Sequence, residues 1–169
     1  MSLSLHSVLV AQHGRMLRNI LTWLDKAQAH AQAKSSDSAD YLALRLAPDM
    51  LAFDKQVLIV CEVAKLGASR LSGVEMAASA HEDTTLQHLR QRIEQTLAWL
   101  ETLSQAQIDD SGVQEIMVPQ RGKEALVFDR PDFVQRWVQP NFFFHATTIY
   151  ALLRHAGVEL GKADYLGVH

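Results

Sequence analysis

Cysteine is almost missing from this 169-residue chain: Cys61 stands alone, so no internal disulfide can form. Glycine and proline are scarce as well, at 8 and 4, which disfavours many short strands joined by tight turns and favours long helices. Lysine and arginine total 16 against 19 acidic residues and do not gather in runs. The formal charge of −3 therefore lacks the basic footprint of a nucleic-acid or anionic-membrane binder, and neither partner is expected. No apolar run approaches the ~20 residues that span a bilayer. The opening MSLSLHSVLVAQH has no basic leader or long apolar core, so no secretion signal is expected and the simplest compartment is the cytoplasm. HExxH, CxxC, GxSxG and phosphate-loop patterns do not occur.

What is present is an ordinary globular composition, 48% hydrophobic and 21% charged, long enough as one domain (1–169) to bury its core without disulfides or structural metal. Leu5, Leu9, Met16, Ile20, Leu24 and Ala27 fall on one face of a helix over about Ser4 to Ala33, and His13 lies inside that stripe. Gly14 beside it implies close approach by another backbone. KSSDSAD (34–40) is a polar break with a helix-start signal at Ser36, Asp37 or Ser38. A second long helix from Asp49 carries Phe53, Val57, Val60 and Ala64 inward and ends near Gly67 or Gly73, with Gln56 at the margin of its inner face. Cys61 lies in its apolar run and reads as a buried, inert thiol. After a loop over 72–84, Thr84 and Gln87 have the capping-box pattern, and Leu86, Leu89, Ile93, Leu97, Leu100 and Leu103 then repeat at helical spacing. VQEIMV and EALVF, separated by turn formers at 119–123, predict a small β-hairpin before a short helical turn, DFVQRWV. Four amphipathic helices with a β-hairpin insertion before the last predict an all-α, antiparallel four-helix bundle, since each apolar stripe needs facing stripes to bury it.

The last helix carries the chemistry. Pro140 suits a first helical turn and Gly157 a left-handed closing residue, so the spacing predicts a helix from Asn141 to Ala156. Phe142, Ala146, Ile149 and Leu153 make one apolar stripe, and Phe143, Phe144, Tyr150 and Leu152 make most of the rest apolar, which predicts a buried helix. Against that background Asn141, His145 and Thr148 stand four and three apart on one face, and something inside the protein must satisfy them.

The segment PNFFFHATTIYALLRHAGVELGKADYLG resembles the C-terminal signature of a family of unknown function within the DinB/YfiT-like superfamily, and the pattern extends from SLHSVLVAQHGRMLRNILTWLDKA through LAPDMLAFDKQV. The resemblance implies a DinB-like four-helix bundle with a site at its centre. Superfamily members typically hold a metal with three histidines, one on the second helix and two spaced four apart on the last, and include thiol-dependent transferases and hydrolases. Aligning Leu153 and Arg154 with their counterparts places His145 on the second of the paired histidines, Asn141 on the first, and the second-helix histidine near Gln56. Two of three expected ligands are thus amides, which bind zinc or nickel weakly. A divalent metal, Zn or Ni, would need His13 as well as His145, with Asp49 or Asp54 adding a carboxylate. The alternative is a metal-free polar cluster in which His13, Gln56, Asn141 and His145 satisfy one another or an ordered water.

Each of these residues also has a plainer reading. His145 is ligand, general base or hydrogen-bonded core histidine; His13 is a ligand or a satisfied buried histidine. Asn141 could cap its helix, and Thr148 could bond back to the carbonyl of residue 144. In the tail, Lys162 or Asp164 could reach a ligand, or Val158, Leu160, Tyr165 and Leu166 could anchor a segment folded over the bundle end. His6, His30, His81, His88 and His169 share no site-like spacing. Two functions follow: a hydrolase or transferase with His145 as base or metal ligand in a polar inter-helix cavity taking a small-molecule ligand, or a metal-free binding or structural protein whose outer surface forms a homodimer.

Overall fold

Leu9, Met16, Ile20, Leu24 and Ala27 are all buried, so the stripe that their spacing predicts is a real inner face. In this computed structural model, which describes residues 4–76 and 84–168, the stripe belongs to a π-helical segment, Ser7–Gln12, running directly into α1 (His13–Ala33). Part of the loop expected over 72–84, together with His81 and His169, lies outside the described residues. Asp37 ends the polar break by accepting from the Ala39 amide at 2.8 Å and caps a short 3-10 helix, Ser38–Ala43. Helix α2 (Phe53–Ser72) begins four residues later than expected, because Ala52 is extended and Phe53 N–H bonds Leu44 O at 2.9 Å; Asp49 is left exposed outside it. Helix α3 (Leu86–Glu101) is capped by Thr85, not Thr84: the Thr85 hydroxyl accepts from His88 N at 3.1 Å.

Helix α2 lies against both α3 and α6 (Gln139–His155), and α1 against the same two, which closes a four-helix ring in the order α1, α3, α2, α6. Between α3 and α6 come α4 (Gln105–Asp109), strands β1 (Ile116–Gln120) and β2 (Lys123–Phe128), and α5 (Arg130–Asp132). The predicted hairpin is there, antiparallel with Ile116 opposite Phe128 and Met117 opposite Val127. Two strands are marginal alone. This pair leans on the bundle through buried Ile116, Val118 and Phe128, and Arg70 of α2 donates to the Met117 carbonyl.

The last helix differs most from expectation. It does not start at Pro140: Asp129 caps it by accepting from Asp132 N at 2.8 Å, and α5 continues through a second π-helical segment, Phe133–Val138, into α6 without a break. A widened turn directly upstream of Pro140 makes room for its ring and absorbs the bond its missing N–H leaves unmade. Nor is α6 buried all round, since Phe144 is 56% exposed. The close approach expected at Gly14 occurs instead at Gly67, where a Cβ would lie 2.8 Å from Val138 Cγ1; at Gly14 the neighbours are the side chains of Arg18 and Leu97. Gly157 closes α6 at φ +95°, as its position implies. The tail folds back through buried Val158 and Leu160, and α7 (Lys162–Leu166) is pinned to α1 by Trp23 Nε1–H donating to Asp164 O (3.2 Å) and a Lys26–Asp164 ion pair (2.6 Å).

Candidate functional site

Helix α2 turns Gln56 inward and α6 turns His145 to meet it, with His145 Nδ1 2.6 Å from Gln56 Oε1. The direction of that bond is fixed by the other end of the amide: Gln56 Nε2 donates to the Leu51 carbonyl at 3.0 Å. Reversing the amide would set two carbonyl oxygens against each other, so Oε1 must face the ring and Nδ1 must carry the hydrogen. The Nε2 lone pair of His145 is then unprotonated, and it makes no hydrogen bond to any described residue. Burial lowers the pKa of His145 and keeps the ring neutral at pH 7. Phe144, edge-on to the His145 ring at 5.2 Å between centroids, provides apolar surface beside it.

His13 does not join this pair. Its ring is fully buried and stacks on Phe142 with centroids 3.8 Å apart, and Nε2–H donates to Gln139 Oε1 at 3.3 Å. Gln139 Nε2 donates in turn to Gln12 Oε1 at 3.1 Å, so the chain His13, Gln139, Gln12 runs along the junctions where the two π-helical segments end. Nδ1 of His13 is sealed without a partner. An orphan lone pair costs less than an orphan N–H, which supports this tautomer. Desolvation, opposed only in part by the Gln139 hydrogen bond, lowers the His13 pKa from 6.5 to about 4.

The remaining candidates satisfy themselves locally. Asn141 does not act as an N-cap: its Nδ2 donates to the Trp137 carbonyl at 2.7 Å. Thr148 donates to the Phe144 carbonyl at 2.8 Å, the back-bond its spacing allows. The five polar residues grouped by sequence thus separate into the His145–Gln56 pair, the His13–Gln139–Gln12 chain, and two side chains bonded to their own helix. This donor set does not fit a zinc or nickel ion. One imidazole is available, the two family positions beside it are amides with other partners, and no group of three or more His, Cys, Asp or Glu among the described residues is placed to hold a metal. Asp54 is next to Lys55, 3.2 Å away, and brings no carboxylate to this pair.

The family model for the domain of unknown function DUF1993 matches residues 5–166. The chain belongs to the DUF1993 family. A crystal structure of a DinB family member protein from Shewanella denitrificans is 40% identical, with a TM-score of 0.85 over 98% of this chain and 93% of that one. No curated protein matches the chain. The DUF1993 domain here is accordingly a DinB-like four-helix bundle, as the resemblance implied.

Sequence reasoning missed Gln139 and Gln12, and also a charged cluster within the bundle wall. Lys65 on α2 and Arg92 with Thr96 on α3 are buried around Cys61, Lys65 pairing with Glu62 at 2.7 Å. Burial raises the Cys61 thiol to about 12, against lowering contributions from Thr96, Arg92 and Lys65. The signal was in the spacing: Arg92 follows Leu89 by three and Thr96 precedes Leu100 by four, so both share the apolar stripe.

Proposed function

We propose that this DUF1993 bundle is a metal-free small-molecule-binding protein whose working group is Nε2 of His145, acting as hydrogen-bond acceptor and, toward a substrate with a removable proton, as general base. Gln56 holds the ring by accepting from Nδ1–H, and its own bond to Leu51 keeps the acceptor face forward. One observation carries the reading: the 2.6 Å His145–Gln56 bond, with its direction set by Leu51, leaves a neutral imidazole lone pair unused by the protein. A hydrolase or transferase step would draw on that lone pair to take a proton from the attacking group. The amides at the superfamily's ligand positions support the metal-free form.

The test is direct. Nitrogen-15 shifts of the His145 ring at pH 7 are expected to show a protonated Nδ1 and a bare Nε2, and Gln56→Leu is expected to mix the tautomers. An Nε2-protonated ring would overturn the orientation. Stoichiometric zinc or nickel in untagged protein, lost on His145→Ala, would overturn the metal-free account. Self-association has one observation in its favour, the facing pair Met117 and Val127, 61% and 56% exposed on the hairpin, and sedimentation of a Met117→Lys variant beside the parent addresses it.

A further inference from the structure

A cleft separate from the His145–Gln56 pair opens between α1, α6 and α7, with a volume of about 150 Å³. That is close to the size of an apolar cavity able to hold one benzene ring. Phe143 and Leu166 give it apolar surface, and Tyr165 forms a rigid wall, its ring stacked on Trp23 at 5.7 Å and its hydroxyl 2.9 Å from Thr147 Oγ1. Two polar groups meet this surface. Arg15 is exposed and has no ion pair or hydrogen bond among the described residues, while Arg18, Arg90 and Arg136 are each paired with a carboxylate. Gln12 is the end of the chain from His13: its Oε1 is held by Gln139, and its Nε2 hydrogens have no acceptor among the described residues. No acidic side chain among the described residues lines the cleft. The π-helical segment Ser7–Gln12 ends here, and such widened turns recur at functional sites.

We propose that this cleft binds a small monocarboxylate carrying a flat apolar group. The Arg15 guanidinium would take the carboxylate in its two-pronged fork, Gln12 Nε2 would donate to it from the neighbouring turn, and the apolar group would lie against Phe143, Tyr165 and Leu166. The volume limits the ligand to about one ring. A compact, strongly hydrated phosphate gains nothing from the aromatic and aliphatic surface, which is why a carboxylate with an apolar body is the better match.

Benzoate is the probe, titrated into the isotope-labelled full chain while amide shifts are followed. Benzamide (same ring, no charge), acetate (same charge, no ring) and inorganic phosphate serve as comparisons. The expected result is millimolar benzoate binding with shifts centred on residues 12–19, 143 and 165–166, weakened about tenfold or more by Arg15→Gln, as suits the loss of a charge-assisted pair. Arg15 is exposed and unpaired, so the variant should fold like the parent. Benzamide, acetate and phosphate are expected to bind more weakly, and His145→Ala should leave benzoate affinity unchanged, which separates this cleft from the other site. Benzoate binding unaffected by Arg15→Gln, shifts centred on Gln56 and His145, equal affinity for phosphate, or no response at tens of millimolar would each overturn the proposal.

Discussion

Acid should destabilise this protein well above the carboxylate range, and His13 should be a main cause. The ring is sealed between α1 and α6, with Phe142 on its face and one hydrogen bond, to Gln139, at Nε2. Folding lowers its pKa from 6.5 to about 4, so the unfolded chain binds this proton more readily than the native one. Stability is therefore complete above the unfolded value and is lost as pH falls toward the folded value. Integrating the linkage gives a loss of about 2 kcal/mol at pH 5 and about 3 kcal/mol at pH 4, relative to pH 7. His145 shifts in the same direction, and carboxylates add their own dependence, so the informative quantity is a difference between two proteins. His13→Leu removes the titrating group. Its lost stacking and its unsatisfied Gln139 oxygen cost about 1 to 3 kcal/mol at every pH, and that constant drops out. Urea unfolding of parent and variant at pH 7 and pH 5 should show the stability gap narrowing, or reversing, by about 2 kcal/mol. Two parallel pH profiles would refute the assignment of a buried neutral histidine.

Three further outcomes follow from the packing. Gly67→Ala puts a Cβ 2.8 Å from Val138 Cγ1 and should cost about 1 to 3 kcal/mol in chemical denaturation, with most of the loss recovered in the Gly67→Ala, Val138→Ala double variant. Cys61, fully buried with its pKa raised to about 12, should resist a maleimide in the native protein at pH 8 and label promptly in denaturant; fast native labelling would contradict its burial. Asp164→Ala removes the Lys26 ion pair and the 2.7 Å bond from Gly161 N–H, and should speed amide exchange across 161–167 while leaving α2 and α3 protected.

The bundle was legible because its signal is redundant. Leu86, Leu89, Ile93, Leu97, Leu100 and Leu103 repeat one period, all are buried, and no single misread residue could hide the helix. The hairpin was legible because turn formers sit between two short runs of strand formers, and Gly122 takes the left-handed conformation that the turn demands, at φ +71°. Helix starts were less so. Thr84 and Thr85 are adjacent and equally able to cap, and only the position of His88 N decides between them. Asp49 looked like part of α2 because its spacing to Phe53 is helical, but Phe53 is already bonded to Leu44 and the chain enters from another direction.

The site was legible at the His145–Gln56 pair, in the Thr148 back-bond to Phe144 O and in the burial of His13; the partners of His13 and Asn141, Gln139 and Trp137, were not, because both precede the expected helix start at Asn141. Gln56 and His145 both lie within uninterrupted α-helix, where a period of 3.6 residues places a side chain reliably. His13 and Gln139 each stand at the first α-helical residue after a π-helical segment, where one extra residue per turn rotates everything upstream. The α period of α6 holds back to Gln139 and fails only before it, but a helix started at Asn141 leaves that glutamine outside. Yet Gln139 is the partner of His13, and through it the buried ring is tied to Gln12 at the edge of the Arg15 cleft. Of these side chains only Gln12 stands in an irregular segment, Ser7–Gln12, whose widened turn sets its meeting with Gln139. Deletion of a single residue within Phe133–Val138 should re-phase the chain upstream of α6 while leaving both the His13–Gln139 and the His145–Gln56 pairs in register, and ring nitrogen-15 shifts of the two histidines that depart from the parent's would refute this.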